Sequence, residues 1–501
     1  MLSTMVMGFT SIFTVKVALL ILLGVIVGII FGAIPGLTAN MAIVLCLPMT
    51  FGMSPIEGLA LLCSLYIGGL SGGLITAILL KIPGTPSSIA TTFDGHPMAV
   101  RGEAGRAIGV GVFYSGLGTL IGVVALMFLA PYLAQVTIKF GSIEYFGVML
   151  FALTMVASLS GGSILKGVIS ALFGILISIV GQAPIDSALR YTFGNYNLSA
   201  GFSSLAICVG VFAVPEILSF ARNKYVANEK AEVASYKIKG FGFTLREFKD
   251  QFVNFIRSAL IGLGIGILPG LGGNISNLVA YSSAKNNSKY PEKFGTGIID
   301  GVVASETSNN ATIGGAMAAL LTLGIPGDMC TALLLGGFMI HGITPGPVLF
   351  KTEGVLVYGI FAAMILATLF MMVVELYGLK AFVKVLNIPK HILMPIVMIM
   401  CTIGAYGGSN RVFDVICFAI FGFLGYFMMY LGLPMTPMVL GFILGTDIET
   451  YFRRGLQLTH NQFSGFFTHP IFVVFFVIAV FSVVFSFIKN RKDKKKATNS
   501  K

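Results

Sequence analysis

Apolar residues fill long, nearly uninterrupted runs along the chain, without the one-sided periodicity of soluble helices or strands. A helix needs roughly 20 predominantly apolar residues to cross the hydrocarbon core of a bilayer, and we predict about ten to thirteen membrane segments on this basis. The pattern therefore predicts an all-α polytopic membrane protein. The runs are residues 17–34, 58–80, 107–130, 142–158, 164–180, 201–221, 302–325, 354–374, 392–406, 412–431 and 470–488.

The composition agrees with this prediction, because 56% of the 501 residues are hydrophobic and only 10% are charged. The longest hydrophilic stretch, 222–257, is too short to form a catalytic domain, so function must reside inside the membrane. No phosphate-binding loop, nucleophile–histidine pattern or paired carboxylates are present, and we predict a protein that is not an enzyme and uses no cofactor. The histidines and cysteines lack ligand spacing, which leaves Na⁺ as the one metal ion to consider.

Lysine and arginine residues are concentrated in a few loops and in the tail, and this indicates the orientation of the chain. The tail 489–501 and the segment 222–257 are basic, so both are predicted to be cytoplasmic, together with the loop 94–106. We expect a multi-pass protein of a bacterial cytoplasmic membrane with its C-terminus inside. The net charge of +12 is explained by membrane sidedness, and no nucleic-acid partner is expected.

Two sequence landmarks occur twice in the same order. FGAIPGLTAN at 31–40 resembles GILPGLGGN at 266–274, with an offset of 234 between the prolines. TAILLKIPGTPSS at 76–88 resembles ALLTLGIPGDMCT at 319–331, with an offset of 243. We predict a first membrane repeat at 1–221, a cytoplasmic linker at 222–257, a second repeat at 258–488 and the basic tail 489–501.

The charge of the equivalent loops predicts that the two repeats are inverted. The loop 49–58 has no lysine or arginine, whereas its counterpart 285–295 contains Lys285, Lys289 and Lys293. By the positive-inside bias these loops lie on opposite faces of the membrane. Two inverted-topology repeats with broken or re-entrant helices are typical of secondary transporters.

Pro-Gly pairs interrupt four apolar segments, and small polar residues follow each of them. Interrupted backbone is tolerated at membrane depth only where it is buried in protein or lines a wet cavity. A half-helix beginning there presents unpaired N–H groups that suit a carboxylate, and hydroxyl and amide oxygens suit Na⁺; ordinary helix capping uses the same residue types. The candidate substrate-binding residues are Pro35, Gly36, Thr38, Asn40, Pro83, Gly84, Thr85, Ser87, Ser88, Gly270, Asn274, Pro326, Gly327, Asp328 and Thr331.

A polar cluster, SETSNNA at 305–311, lies at the head of the apolar run that precedes Pro326. It supplies the candidate ion-coupling residues Glu306, Ser308, Asn309 and Asn310. A buried carboxylate must be neutral, paired or bound to a cation. The alternative is a Glu306 that lies at the interface as an N-terminal helix acid.

Three other acids are each near the end of a predicted segment, namely Glu216, Glu375 and Asp414. We predict that they pair with lysine or arginine or reach the interface, which is the common behaviour of charged residues at segment ends.

At these motifs the sequence resembles the large membrane subunit of the tripartite tricarboxylate transporter family. The resemblance implies import of small carboxylates, driven by a Na⁺ or H⁺ gradient, with a small membrane subunit and a periplasmic solute-binding protein as partners. It also implies that the two Pro-Gly regions form the substrate and ion sites, with Glu306, Asn309 and Asn310 matching the family's acid and Asn-Asn pattern. The resemblance is carried by residues 35–52, 66–88, 94–109, 267–275, 305–311 and 321–347.

The chain departs from the family pattern at two places. Asp328, Met329 and Cys330 stand where small neutral residues are usual, which suggests a substrate other than a tricarboxylate. Ser305, Thr307 and Ser308 stand where proline and alanine are usual, which bears on the coupling ion.

The sequence therefore predicts a cation-coupled permease that works by alternating access. The alternatives are a passive anion or solute channel and a membrane subunit that only docks a solute-binding protein. Self-association into a homo-oligomer stays open.

Overall fold

The computed structural model describes residues 2–34, 37–159, 164–222, 242, 244–270, 272–385, 390–407 and 410–499. Almost all of this described part is helical, and a single two-stranded antiparallel hairpin pairs Gly181 with Arg190. The all-α class predicted from the apolar runs is confirmed.

Nineteen helices occur in the described residues. They are α1 (Leu2–Ser11), α2 (Val15–Ala33), α3 (Ala39–Cys46), α4 (Pro55–Leu80), α5 (Thr91–Met98), α6 (Ala104–Thr137), α7 (Ser142–Leu159), α8 (Ile164–Ser178), α9 (Ser204–Arg222), α10 (Leu245–Ile267), α11 (Gly272–Asn286), α12 (Ile299–Leu323), α13 (Met329–Ile340), α14 (Leu349–Thr352), α15 (Gly354–Val385), α16 (Lys390–Gly407), α17 (Val412–Tyr430), α18 (Met435–Leu458) and α19 (Pro470–Asn499). The strands are β1 (Gly181–Gln182) and β2 (Leu189–Arg190), and short 3₁₀ turns occupy Leu47–Gly52, Pro86–Ser88, Tyr196–Leu198, Pro291–Lys293 and Phe463–Thr468.

Five helical stretches of the described chain are long and apolar enough to cross a bilayer, and seven shorter apolar helices accompany them. The long stretches are Val15–Ala33, Pro55–Leu80, Thr91–Thr137, Gly354–Gly378 and Val412–Tyr430. Helices of this number and length are those of a polytopic membrane protein.

The chain divides into two compact units. The first contains residues 1–134 and 220–404, and the second contains 135–219 and 405–501. Both units therefore draw on both predicted repeats, and the repeat boundaries stay a prediction. Helix α10 begins at Leu245, inside the predicted linker 222–257, while residues 223–241 and 243 of that linker lie outside the described part.

The internal repeat is visible in how helices of the first unit pack. In the first half α2 crosses α4 so closely that a Cβ on Gly28 would lie 2.5 Å from the carbonyl oxygen of Leu65. In the second half α10 crosses α12 in the same way, with Gly262 against the carbonyl oxygen of Ser308. The two contacts are related by the offsets 234 and 243 of the sequence landmarks, so the repeat extends to tertiary contacts.

Helices α4 and α12 are brought together at one end by α5. Ile78, near the C-terminal end of α4, lies against Gly95 of α5. Gly301, near the N-terminal end of α12, lies against the neighbouring Asp94. The end of α4 is therefore level with the beginning of α12.

The other ends of the same two helices meet the segment that follows α13. Gly58, near the start of α4, lies against the ring of His341, and a Cβ on Gly324, directly after α12, would lie 3.0 Å from the carbonyl oxygen of Pro345. The beginning of α4 is thus level with the end of α12. The two helices run in opposite directions, as the inverted-repeat prediction requires.

The second unit is a helical bundle with an aromatic core. Helix α18 packs against α7 and α8, and α19 packs against α7. Phe146, Phe466 and Phe472 are buried together there. The β-hairpin is tied to α18 by two hydrogen bonds of 2.8 and 2.9 Å from Arg190 to the carboxylate of Glu449.

A candidate substrate and ion site at the helix breaks

The second break of each repeat has the same local structure. Helix α4 ends at Leu80 and α12 ends at Leu323, and each is followed by a left-handed residue, Lys81 with φ 59° and Gly324 with φ 72°. The prolines Pro83 and Pro326 lie in the non-helical stretches beyond. Proline cannot continue a helix because its nitrogen donates no hydrogen bond. The predicted breaks at 83 and 326 are confirmed.

The first break of each repeat separates α2 from α3 and α10 from α11. In the second half, Gly270 and Gly272 adopt positive φ angles of 79° and 48° on either side of the turn. In the first half, Thr38 caps α3 by accepting a hydrogen bond from the N–H of Met41 at 3.4 Å. The candidate residues Pro35 and Gly36 lie outside the described residues.

Matching N-terminal caps follow the second breaks. Asp328 Oδ1 accepts a hydrogen bond of 2.8 Å from the N–H of Thr331, whose hydroxyl accepts one of 2.9 Å from the N–H of Asp328. At the equivalent place the hydroxyl of Ser88 accepts from the N–H of Thr85 at 3.4 Å and donates to its carbonyl oxygen at 2.8 Å. These residues therefore act as helix caps, the alternative use of such residue types, and their role in substrate binding stays a prediction.

The two breaks within each half touch each other. The N–H of Gly270 donates to the carbonyl oxygen of Gly327 at 2.8 Å, which brings Pro269 and Pro326 together. In the first half Gly84 packs directly on the carbonyl oxygen of Gly32 at the end of α2. Only glycine allows so close an approach of two backbones.

The breaks also contact each other across the repeats, and these contacts are reciprocal. Asn40 of the first half bonds to the second-half break, since its Nδ2 donates to Met329 Sδ at 2.8 Å and its Oδ1 accepts from Cys330 Sγ at 2.9 Å. Conversely, Nδ2 of Asn277 in the second half donates to the carbonyl oxygen of Ser87 in the first. Each half therefore contacts the second break of the other half, although through non-equivalent residues, because the offset of 234 pairs Asn40 with Asn274.

The N-terminal turn of α11 joins these contacts into one cluster. Gly272 lies against the side chain of Asp328, and the next residue, Gly273, lies against Asn309 and Ser87. Asn274 is exposed on the same turn. The structure thus brings Ser87, Asn309 and Asp328 to one turn of α11, whereas Asn274 is exposed, and their role as a binding site stays a prediction.

Asn309 differs from every other amide in the cluster. It is fully buried, and neither Oδ1 nor Nδ2 has a hydrogen-bond partner among the described residues. The hydroxyl of Tyr66, at the equivalent position of the first half, donates to Asp328. Because buried polar groups are almost always satisfied, the open amide of Asn309 marks a place for a bound group.

Glu306 lies in the second turn of α12, fully buried, and not at an interface. Thr91 donates a hydrogen bond to Oε1, Ser115 donates one of 2.8 Å to Oε2, and Asn310 donates one of 3.1 Å to the backbone oxygen of Glu306. None of the ion pairs in the described part of the chain involves it. A buried acid with only neutral partners fits cation binding, although its coupling role stays a prediction.

Ser308, the other predicted coupling residue, faces α11. Its hydroxyl donates to the carbonyl oxygen of Ser276 at 3.1 Å. This hydrogen bond joins α12 to α11 next to the break, on the same face that carries the close contact with Gly262.

The prediction for Glu375 was wrong, whereas that for Asp414 is confirmed. Asp414 pairs with Arg411 at 2.9 Å. Glu375 is fully buried within α15, which continues to Val385, and accepts a hydrogen bond of 2.8 Å from Ser71. The apolar run appeared to end at 374, so the sequence placed Glu375 at a helix end that does not exist.

Sequence reasoning also missed Asp94, which joins the halves at one face. Its Oδ1 accepts hydrogen bonds from the N–H groups of Gly295, Gly297 and Ile298 at 2.9, 2.8 and 3.0 Å, and Oδ2 accepts one of 2.8 Å from Tyr281. An Asp-Gly pair at the start of a stretch that the sequence predicted to be a loop gives no local signal of partners about 200 residues away, and the structure places the pair in α5.

Basic loop residues meet at the same face. Arg101 donates to the carbonyl oxygen of Gly297 at 2.6 Å, and Arg106 pairs with Glu247. A hydrogen bond from the N–H of Thr244, assisted by the charge of Arg106, holds the pKa of Glu247 below its usual value. The loops that the charge pattern predicted to share a face are therefore together.

Comparisons with known proteins agree with this architecture. The model of the tripartite tricarboxylate transporter TctA family matches residues 18–440. An "uncharacterized 52.8 kDa protein in TAR-I ttuC' 3'region" of Agrobacterium vitis is 35% identical over 463 residues, which cover 92% of this chain and 91% of that protein. A second Agrobacterium vitis protein, from the "TAR-II ttuC' 3'region", is 35% identical over 231 residues, covering 46% of this chain and 96% of that protein.

No solved structure matches the chain. The family match nevertheless spans most of the sequence, including both pairs of helix breaks and the cluster around Glu306. The chain therefore belongs to the tripartite tricarboxylate transporter TctA family.

Proposed function

We propose that this chain is the permease subunit of a cation-coupled secondary transporter that imports small carboxylates. One observation supports the proposal most strongly. The broken helices of two oppositely directed repeats meet at one polar cluster, in which the buried amide of Asn309 has no partner among the described residues. Broken helices at the interface of inverted repeats are where secondary transporters bind substrate.

The residues around Asn309 suit a carboxylate. Gly273 at the start of α11 adjoins its amide, and Ser87 adjoins Gly273. The hydroxyls of Thr85 and Ser87 lie 2.9 Å apart, and either is free to turn toward a bound oxygen. The first N–H groups of α11 have no helical acceptors and attract negative charge. Together these groups donate hydrogen bonds to an anion.

Asp328 does not oppose this substrate as an unpaired charge would. Its two oxygens accept hydrogen bonds from Tyr66, from the N–H of Thr331 and from the Thr331 hydroxyl at 2.8 Å. These hydrogen bonds stabilise the carboxylate and direct Oδ1 to the cap of α13 and Oδ2 to Tyr66. With Met329 and Cys330, Asp328 narrows the space beside Asn40, which favours a small carboxylate.

The coupling cation, Na⁺ or H⁺, binds next to Glu306 in this proposal. Glu306, Asn309 and Asn310 lie in consecutive turns of α12, so one helix carries both the carboxyl group and the substrate amide. A cation there offsets the buried negative charge, and this links its binding to that of the anionic substrate. Movement of one repeat against the other then exposes the site to each face in turn.

The tripartite family supplies the expected partners, a small membrane subunit and a periplasmic solute-binding protein. We place the chain in a bacterial cytoplasmic membrane with its C-terminus in the cytoplasm, because the basic loops at Arg101 and Arg106 mark one face.

The test uses the purified chain in proteoliposomes with labelled citrate and succinate under imposed Na⁺ and H⁺ gradients. We expect the wild-type chain to accumulate labelled substrate against its concentration gradient. In Glu306→Gln we expect uptake to lose its dependence on the imposed Na⁺ or H⁺ gradient. Equilibration without accumulation indicates the rival channel. No uptake by the isolated chain, with uptake restored by partner subunits, indicates the docking subunit.

A further inference from the structure

A second buried carboxyl group lies beside Glu306. The two are held close by a chain of contacts across three helices. Glu306 accepts a hydrogen bond from Ser115 of α6, and the next residue of α6, Gly116, packs on Met372 of α15. Met372 lies one turn before Glu375 on α15.

The other side of the cluster is formed by α4. Ser71 donates to Glu375 Oε2 at 2.8 Å. Leu74, one turn later, and Glu306 both lie against Gly111 of α6. A Cβ on Gly111 would be 3.6 Å from the side chain of Leu74 and 3.8 Å from the Cγ of Glu306. These contacts place the two carboxyl groups in one cluster formed by α4, α6, α12 and α15.

The partners of the two acids are unequal. Glu306 accepts hydrogen bonds at both oxygens, from Thr91 and Ser115, with the amide of Asn310 3.5 Å from Oε2. Glu375 has one donor, Ser71, and its Oε1 is buried without a partner among the described residues. Hydrogen bonds to a carboxylate favour its charged form, and burial without them favours the neutral form.

No positive charge compensates the pair within the described chain. Lys16 of α2 pairs with Glu57 at 2.8 Å at the far end of α4, and Tyr66 belongs to the cluster around Asp328. The other titratable residues in the sequence of α4, α6, α14 and α15 are Cys63, Arg106, Tyr114, Tyr132, Lys351, Tyr358, Tyr377, Lys380 and Lys384. Two neighbouring carboxylates without a cation are costly, so the pair must hold a proton or another cation.

A further unpartnered group points to a ligand in this cluster. Asn310 is fully buried, its Nδ2 lies near Glu306 Oε2, and its Oδ1 has no partner among the residues described. An open oxygen and a carboxylate on one helical turn attract positive charge.

We propose that Glu306 and Glu375 form one proton-binding site, with the proton on Glu375 and the negative charge on Glu306. The step is the transfer of one proton from a hydronium ion, which becomes water, to a carboxylate oxygen of Glu375. A proton on Glu375 needs no shell of oxygen ligands, whereas a metal cation needs several, and the hydrogen-bond partner of Glu375 among the described residues is the hydroxyl of Ser71. In this proposal H⁺ is the coupling ion of the transporter. The transport role of the proton site rests on the function proposed above.

Infrared spectroscopy of the purified protein tests the site without any transport assay. We expect a carbonyl band of a protonated carboxylic acid that disappears in Glu375→Gln and persists in Glu57→Gln, whose wild-type carboxylate is paired with Lys16. In Glu306→Gln the band should persist but vanish at a lower pH than in the wild type, because the neighbouring negative charge is gone. An unchanged band in Glu375→Gln would overturn the proposal.

Ser71→Ala keeps the test decisive where Glu375→Gln fails to fold. Loss of the hydroxyl partner should shift the frequency of the same band, and a band that does not move contradicts the assignment to Glu375. In proteoliposomes Glu375→Gln should lose accumulation driven by a pH gradient while citrate or succinate still raises its melting temperature. A wild-type chain that transports neither citrate nor succinate would refute the proposed function. The infrared band would still test the proton site independently.

Discussion

Replacement of Asn309 by alanine is expected to lower the apparent affinity for a transported carboxylate by about 10- to 100-fold. The reason is that Nδ2 of the buried amide has no acceptor among the described residues, so an oxygen of the bound carboxylate accepts its hydrogen bond. Hydrogen bonds to a charged group are worth about 1.5–3 kcal/mol, and about 1.4 kcal/mol corresponds to a factor of ten in affinity. The initial rate of citrate and succinate uptake, measured against concentration, gives the change.

Asn254→Ala is a matched control for this prediction. Asn254 is also a buried asparagine, but its Nδ2 already donates to Gln251 at 2.9 Å and to the carbonyl oxygen of Asp300 at 3.0 Å. The Asn254→Ala substitution should reduce thermal stability and leave the apparent affinity for the carboxylate near that of the wild type. An Asn309→Ala protein that inserts, melts normally and transports with unchanged affinity would remove Asn309 from the substrate site.

Replacement of Gly266 by alanine is expected to destabilise the protein by about 1–3 kcal/mol, the usual cost of forcing extra volume into a packed core. A methyl group there would collide with the carbonyl oxygen of Thr312, and Gly327 packs on the carbonyl oxygen of Gly266. The collision separates α10 from α12 next to the break. Thermal unfolding in detergent and the uptake rate should both fall.

Gly264→Ala supplies the comparison on the same helix. A Cβ at Gly264 would have no atom within 4 Å, so the substitution adds only helix propensity and should be neutral or slightly stabilising. Equal melting temperatures for the two variants would contradict the close crossing of α10 and α12.

The sequence predicted those features of the site that have a local chemical cause. Proline at 83 and 326 forbids continuation of the helix, and the threonine or aspartate that follows caps the next turn. The repeat offsets could also be predicted from the Pro-Gly landmarks, and the offset of 234 relates Gly28 to Gly262, which both lie where two helices cross at backbone distance. Charge placed the loops around Arg101 and Lys293 on one face.

The contacts that complete the site could not be predicted from the sequence, because they join residues that are far apart along the chain. Tyr66 and Asp328 are separated by 262 positions, and neither segment contains a sign of the other. Glu375 was misplaced for a different reason. Judged from composition alone, a charged residue marks the end of an apolar run. A buried acid in the middle of a helix produces the same sequence pattern, and Glu375 in α15 is such a residue.

The departure from the family at Asp328, Met329 and Cys330 has a structural consequence. Met329 and Cys330 bond to Asn40 and so attach the second-half break to α3 of the first half. Small neutral residues would leave this side of the cluster open. We therefore propose a substrate that is more compact than a tricarboxylate.

Cys330 also provides the most direct test of the shared site, because its thiol lies between the two repeats. The measurement is alkylation of Cys330 by a membrane-impermeant thiol reagent applied to right-side-out and to inside-out vesicles, with Cys330→Ala identifying the signal. We predict labelling from both faces, slowed by the transported carboxylate. Labelling from one face alone, or at a rate that neither citrate nor succinate changes, would contradict an alternately exposed pocket formed by the broken helices.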